Sequence, residues 1–166
     1  MYVPFEKLPG NARIWVYQAD RKLNSADKEY AAHYLASFTE KWTAHNHSLR
    51  ASFSILHDWF IILAVDGNVN EASGCSIDAS VRALGDLGQK LGTDLFNRTN
   101  IAVWKDGEVQ LVAMKNLSTL LEQGHWHSDT TVFNNAVLTV DELNKKWMVP
   151  ARESWLARYL NRSVLR

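Results

Sequence analysis

Cys75 is the only thiol in the chain, and it stands in Ser73-Gly74-Cys75-Ser76-Ile77-Asp78. Ile77, Val81, Leu84, Leu87 and Leu91 follow at helical spacing, so the thiol falls where a helix should open, near Ser76 or Ile77. The first N–H groups of a helix lack intrahelical partners, and the helix dipole favours negative charge there. Such a place can stabilise a thiolate or hold an anion. Ser73, Gly74, Cys75, Ser76 and Asp78 are therefore the candidate ligand-binding residues. Ser73, Ser76 and the amides would donate, Gly74 would leave the backbone approachable, and Cys75 is the candidate nucleophile. Arg82 and Arg98 are charges that would strengthen an anion site. His33 and His57 are candidate bases that no spacing ties to Cys75. The plainer reading is a capped helix start with a small buried cysteine beside it.

The other chemistry-bearing residues are less specific. His45-Asn46-His47 and His125-Trp126-His127 are two His-x-His pairs. Imidazole is a common zinc ligand, but no Cys pair or carboxylate at ligand spacing accompanies either pair. Surface-loop histidines are the favoured reading, and no metal or other cofactor is implied. Asp20-Arg21-Lys22 and Asp66 follow two segments that read as central strands, where they could line a cleft at one sheet end. No Gly-x-x-x-x-Gly-Lys-Ser/Thr occurs. Gly85-Asp86-Leu87-Gly88-Gln89-Lys90 has the wrong spacing and falls inside a helix, which argues against a P-loop ATPase.

From Lys145 to Arg166 six basic residues (Lys145, Lys146, Arg152, Arg158, Arg162 and Arg166) stand against Glu153 alone. That segment carries about five positive charges, and the rest of the chain about five negative ones. Trp147, Trp155, Leu156 and Tyr159 give it an apolar side. Packing on the chain's own acidic body is the favoured reading, with Trp147, Trp155 and Leu156 buried. A nucleic-acid adaptor is the alternative.

The elements that must position these residues follow from periodicity. Arg13–Ala19 and Trp59–Val65 are short, apolar and rich in β-branched and aromatic residues, as central strands are. Ala51, Phe53, Ile55 and His57 alternate with polar or outward positions, which suits a strand nearer an edge. A helix over about Ala26–His45 follows from the Asn24-Ser25 cap and from Ala31, Tyr34, Leu35, Phe38 and Trp42. Asp106-Gly107 between Asn100–Lys105 and Glu108–Met114 signals a hairpin. Short helices are predicted over Leu117–Gln123, over Val140–Trp147 behind the Thr139/Glu142 capping box, and from Pro150 to Leu160. The β-α-β-β-α-β order is that of an α+β, ferredoxin-like split β-α-β sandwich. The hairpin would add an edge strand, giving the order 5-4-1-3-2, with helices at the C-terminus. On this reading 1–166 is a single domain, and 115–166 is a helical C-terminal extension packed on the body. That extension, or a second subunit in a homodimer, would cover the sheet face opposite the two long helices.

Composition sets the outer limits. Of 166 residues, 46% are hydrophobic and 22% charged, a globular balance. Eighteen Lys and Arg offset eighteen Asp and Glu, so bulk charge does not draw the chain to nucleic acid. The longest apolar run, Trp59 to Val65, is too short to span a membrane. No secretory pattern opens the sequence, and with a lone cysteine the expected compartment is the cytoplasm.

Tyr17-Gln18-Ala19-Asp20-Arg21, Gly74-Cys75-Ser76-Ile77-Asp78, Phe96-Asn97-Arg98, Phe133-Asn134-Asn135 and Trp147-Met148-Val149-Pro150-Ala151 carry a resemblance over nearly the whole chain. It resembles a family of small proteins from Bacteroidetes bacteria, some of whose members carry the label "ABC transporter ATPase". The resemblance implies no catalytic residues, and the phosphate-binding loop that the label requires has no counterpart in this sequence. The functional expectation is therefore a small cytoplasmic ligand-binding or protein-interaction module. An enzyme using Cys75, or the helix start at Ser73–Asp78, is the alternative.

Overall fold

The computed structural model describes residues 1–163. The chain is a mixed α+β protein with antiparallel sheets. It divides into two compact units, each assembled from two stretches: 1–97 with 136–144, and 98–135 with the segment from 145 onward. The described part of 115–166 is thus shared between the units.

The first unit holds β1 (Arg13–Gln18), α1 (Ser25–Lys41), the two-residue strands β2 (Thr43–Ala44) and β3 (His47–Ser48), β4 (Ala51–Leu56), β5 (Phe60–Val65) and α2 (Gly74–Leu91). Its main sheet has the order β1-β5-β4. All six β5 residues are buried, as a continuous apolar run between two neighbours should be. β1 is an edge strand of this sheet, contrary to its expected central place. Its outer side meets a short segment, through an Arg13–Thr139 bridge and a hydrogen bond from the Ile14 N–H to the Leu138 carbonyl at 2.9 Å.

Local sequence explains the boundaries. Asn24 caps α1 by accepting from the Asp27 N–H at 2.9 Å, and the Asp27 carboxylate returns the bond to the Asn24 N–H at 2.9 Å. The helix ends at Lys41, four residues before the expected end. His45 and Asn46, at φ 50° and 65°, make the two-residue turn between β2 and β3. His57 and Asp58, at φ 52° and 61°, form the tight β4–β5 connection. Ser73 caps α2 and Gly92, at φ 65°, closes it in the left-handed region. Within α2, a Cβ on Gly88 would stand 2.8 Å from the Thr93 carbonyl oxygen, so close backbone approach requires glycine there.

One face of this sheet carries the main core. Tyr17, Ile61, Leu63 and Val65 pack with Ala31 and Leu35 of α1 and with Leu84, Leu87 and Leu91 of α2. Ile14, Phe60, Ile62 and Ala64, which alternate to the other face, are buried as well.

The second unit holds β6 (Asn100–Lys105), β7 (Glu108–Ala113), α3 (Leu117–Glu122), β8 (Thr131–Phe133), β9 (Met148–Pro150) and α5 (Ala157–Ser163). The linking helix α4 (Val140–Lys146) ends within it. Asp106 and Gly107 make the expected β6–β7 turn at φ 54° and 79°. The sheet order is β7-β6-β8-β9. This corrects the single five-stranded order 5-4-1-3-2: β6 takes β7 and β8 as partners and has no ladder to β1. The 1-3-2 part of that order is present as β1-β5-β4. Pro150 ends a strand, with Val149 and Pro150 paired to Val132 and Thr131, and is followed by one 3-10 turn over Ala151–Glu153; the last α-helix begins only at Ala157, not at Pro150. The unit's core gathers Ile101, Val103, Leu117, Trp126, Val132, Ala151 and Leu156.

Candidate functional site

The turn from Ser73 to Asp78 forms a well-made helix start. The Ser73 hydroxyl oxygen accepts from the Ser76 N–H at 3.2 Å, and the Ser76 hydroxyl donates to the Ser73 carbonyl at 2.8 Å. Ser76 is buried, and its own carbonyl accepts the Trp42 indole N–H at 2.8 Å. The Ser76 hydroxyl, named as a ligand donor, is therefore spent within the protein, while the Ser73 hydroxyl is engaged as an acceptor. Gly74 has open space around it, and Cys75 and Asp78 are exposed. The plainer reading of Cys75 as a small buried residue is thus corrected: the thiol faces outward. His57 stands in the β4–β5 turn, at the far end of that hairpin from Val65 and the loop leading into α2. Arg82 is exposed about two turns along α2, and Arg98 belongs to the second unit.

Asp20 and Asp66 do not share a cleft. β1 and β5 are antiparallel, with Arg13 opposite Val65 and Gln18 opposite Phe60, so the residues following the two strands emerge at opposite ends of the sheet. Each has a structural partner. The Thr93 hydroxyl donates to Asp20 at 2.6 Å, and Arg50 donates to the buried Asp66 at 3.2 Å. Arg21 grips Asp27 through both guanidinium nitrogens and also donates to the Leu91 carbonyl at the end of α2. The hydrogen bond from Arg21 holds the Asp27 carboxyl below the usual carboxylate range, and the Asn24 N–H adds to the effect. Lys28 does the same for Asp58 across 2.7 Å. These pairs fasten the start of α1 to the end of α2 and to the β4–β5 turn.

The two His pairs lie in different units, and among the described residues no group of three or more His, Cys, Asp or Glu is placed to hold a metal ion. In the basic segment, Trp147 and Leu156 are buried as expected. Trp155 is not: it is 41% exposed, edge-on to Tyr159, with the Arg158 guanidinium 4.9 Å over its ring. Arg152 pairs with Asp129. Arg166, counted with this segment, lies outside the described residues.

What the sequence reading missed lies along α1. Tyr30, Tyr34, Phe38 and Trp42 recur every fourth residue, beside the stripe of Ala31, Leu35 and Thr39 that faces the core. Two cavities of about 510 and 390 Å³ lie along this ladder and meet at Tyr34. The first is lined by Ala26, Glu29, Tyr30, His33 and Tyr34, and the second by Tyr34, Ser37, Phe38, Lys41, Trp42, Thr43 and Ala79 of α2. Neighbouring rings support one another: Tyr30 stacks on Tyr34 at 6.5 Å, and Phe38 meets Trp42 at 5.0 Å. Trp42 is rooted in the core by its ring contact with Trp15 at 5.9 Å and by its bond to Ser76. Partial burial raises the Tyr34 phenol above its ordinary pKa, and the nearby Asp86 and Tyr30 add to the shift. The signal was present in the sequence as two adjacent stripes merged into one.

Compared with known proteins, the chain matches no family model, no curated protein and no solved structure. Among the described residues no helix is long and apolar enough to cross a membrane.

Proposed function

We propose that the chain is a cytoplasmic protein-interaction module that docks a short amphipathic segment of a partner protein along α1. The observation that carries this reading is the ladder Tyr30-Tyr34-Phe38-Trp42, half-exposed at its start and rooted in the core at its end. Aromatic side chains give large contact areas for few lost rotamers and dominate binding hot spots. The helical part of the lined stretch, residues 26–41, is about 24 Å long, enough for several turns of a docked peptide. Glu29, His33 and Lys41 give it a polar rim. In scaffold terms, the β-α-β-β-α order and the 1-3-2 sheet support reading the first unit as a shortened ferredoxin-like arrangement. The resemblance to the Bacteroidetes family rests on sequence stretches alone and brings no activity to this reading.

The test is selection from a displayed library of helical peptides. Enriched peptides that lose about tenfold or more in affinity for the folded variant Tyr30→Ala/Tyr34→Ala support the proposal. Enrichment indifferent to those substitutions contradicts it. A second reading, an enzyme using Cys75, is favoured by the outward-facing thiol in the first turn of α2. The rate of alkylation against pH decides it: half-maximal labelling well below about pH 7.5 is the expected result for an activated thiolate, and ordinary thiol behaviour removes the reading.

A further inference from the structure

At the end of β5 away from the His57 turn lies a separate cavity of about 350 Å³, lined by Asn11, Arg13, Val65, Asn68, Glu71 and Ala72 among others. Its walls are held in place. Arg13 is fixed in the sheet opposite Val65, and its guanidinium lies 4.7 Å over the Trp15 ring. The loop after β5 is shaped by Asp66, whose buried carboxylate accepts from the Asn68 N–H at 3.1 Å and from Arg50 at 3.2 Å. Asn70 ties the same loop to the Ser48 carbonyl at 3.0 Å. The Asn11 and Asn68 amides bond to each other reciprocally at 3.2 and 3.1 Å, so each keeps a second N–H and a second acceptor position free for a ligand.

Two opposite charges line this space, the Arg13 guanidinium resting on the Trp15 ring. Neither Arg13 nor Glu71 makes an ion pair among the described residues. Glu71 reaches back over the loop, where its Cγ would lie 3.9 Å from a Cβ on Gly67. A cavity offering one cation and one anion without ion pairs, two oriented amides and an apolar wall suits a molecule with the reverse pattern, and its volume lies at the small end of ligand sites. We propose that it binds a small zwitterion of the free α-amino-acid class. The carboxylate takes the planar Arg13 fork and an asparagine amide, the ammonium takes Glu71, and the side chain turns to Ala72.

The experiment adds each common amino acid singly to the full-length, isotope-labelled chain and follows the backbone amides of residues 11–13 and 66–72. The proposal expects at least one to saturate with a dissociation constant at or below about 1 mM. The N-acetylated and the C-amidated forms of that amino acid should bind about tenfold or more weakly, and so should the free amino acid to Arg13→Gln and to Glu71→Gln. Arg13→Lys, which keeps the charge and loses the fork, should fall between. An absence of saturable shifts overturns the proposal. So does saturation by acetate or inorganic phosphate with the same strength, which would show an anion site only, or binding unchanged in Arg13→Gln. None of these outcomes touches the α1 groove, whose proposal stands or falls separately.

Discussion

The groove along α1 and the cavity at the end of β5 are built in opposite ways. One contiguous stretch of chain, α1 and the two residues after it, supplies nearly the whole lining from Ala26 to Thr43, with Ala79 of α2 at its flank. Its floor is continuous with the core through Trp42, so binding surface and stability share a residue. The cavity draws instead on separate stretches near 11–13, 65–68 and 71–72, and its charged groups stand on the rim. Behind it the buried Asp66 carboxylate, paired with the half-buried Arg50, shapes the loop. The difference shows that an aromatic helix face serves both folding and recognition, whereas unpaired surface charges around a preformed loop can be lost at little cost to the fold.

The comparison breaks first at Trp42. Trp42→Ala should cost about 3–5 kcal/mol in urea unfolding, because it empties a buried site and leaves the Ser76 carbonyl without its donor. A loss below about 1 kcal/mol would show that the groove floor is not part of the core.

Acid should act next, through the pairs that hold the start of α1. Asp27 and Asp58 have folded pKa values below their ordinary ones, so the stability they contribute is full above roughly pH 4. It is lost as pH falls through the lowered values. The melting temperature should therefore drop more steeply below about pH 4 in the wild type than in Asp27→Asn/Asp58→Asn. Both groups are partly solvated, so the difference should be modest. Parallel pH profiles would place these carboxyls outside the folding balance.

The smallest effects sharpen the contrast. Glu71→Gln should change stability by under about 0.5 kcal/mol, as substitutions at exposed positions without an ion pair do, and Arg13→Gln, which loses the contact over the Trp15 ring, should cost no more than about 1 kcal/mol. On α2, Gly85→Ala should stabilise by about 0.5–1 kcal/mol, since nothing stands nearer than 4.0 Å to the added carbon. Gly88→Ala should destabilise against the Thr93 carbonyl. Thermal unfolding of these variants side by side checks all four; a reversed order of Gly85 and Gly88 would undo the account of that helix.

What was legible in the sequence was local. Asn24-Ser25, His57-Asp58 and Asp106-Gly107 set their own caps and turns within four residues, and the apolar run of β5 announced a buried strand. The neighbours of β1 were not legible. Its apolar residues report burial, and an edge strand with covered faces buries residues on both faces, as Ile14 and Tyr17 do here. β8 and β9, at three residues each, carry no usable period, so Pro150 read as a helix start. The aromatic ladder was visible as spacing, yet Tyr34 and Phe38 were merged with the core stripe of Ala31 and Leu35 one position away. The β5-end cavity joins residues more than fifty positions apart, such as Asn11 and Asn68, and no spacing rule links them.

Backbone amide shifts of the labelled chain, titrated with a peptide selected as above, test the interaction reading most directly. The account predicts saturable shifts over residues 26–43 and near Ala79, abolished by Tyr30→Ala/Tyr34→Ala in a variant that keeps the wild-type fold. Shifts confined to residues 73–78, or to the second unit, would contradict it.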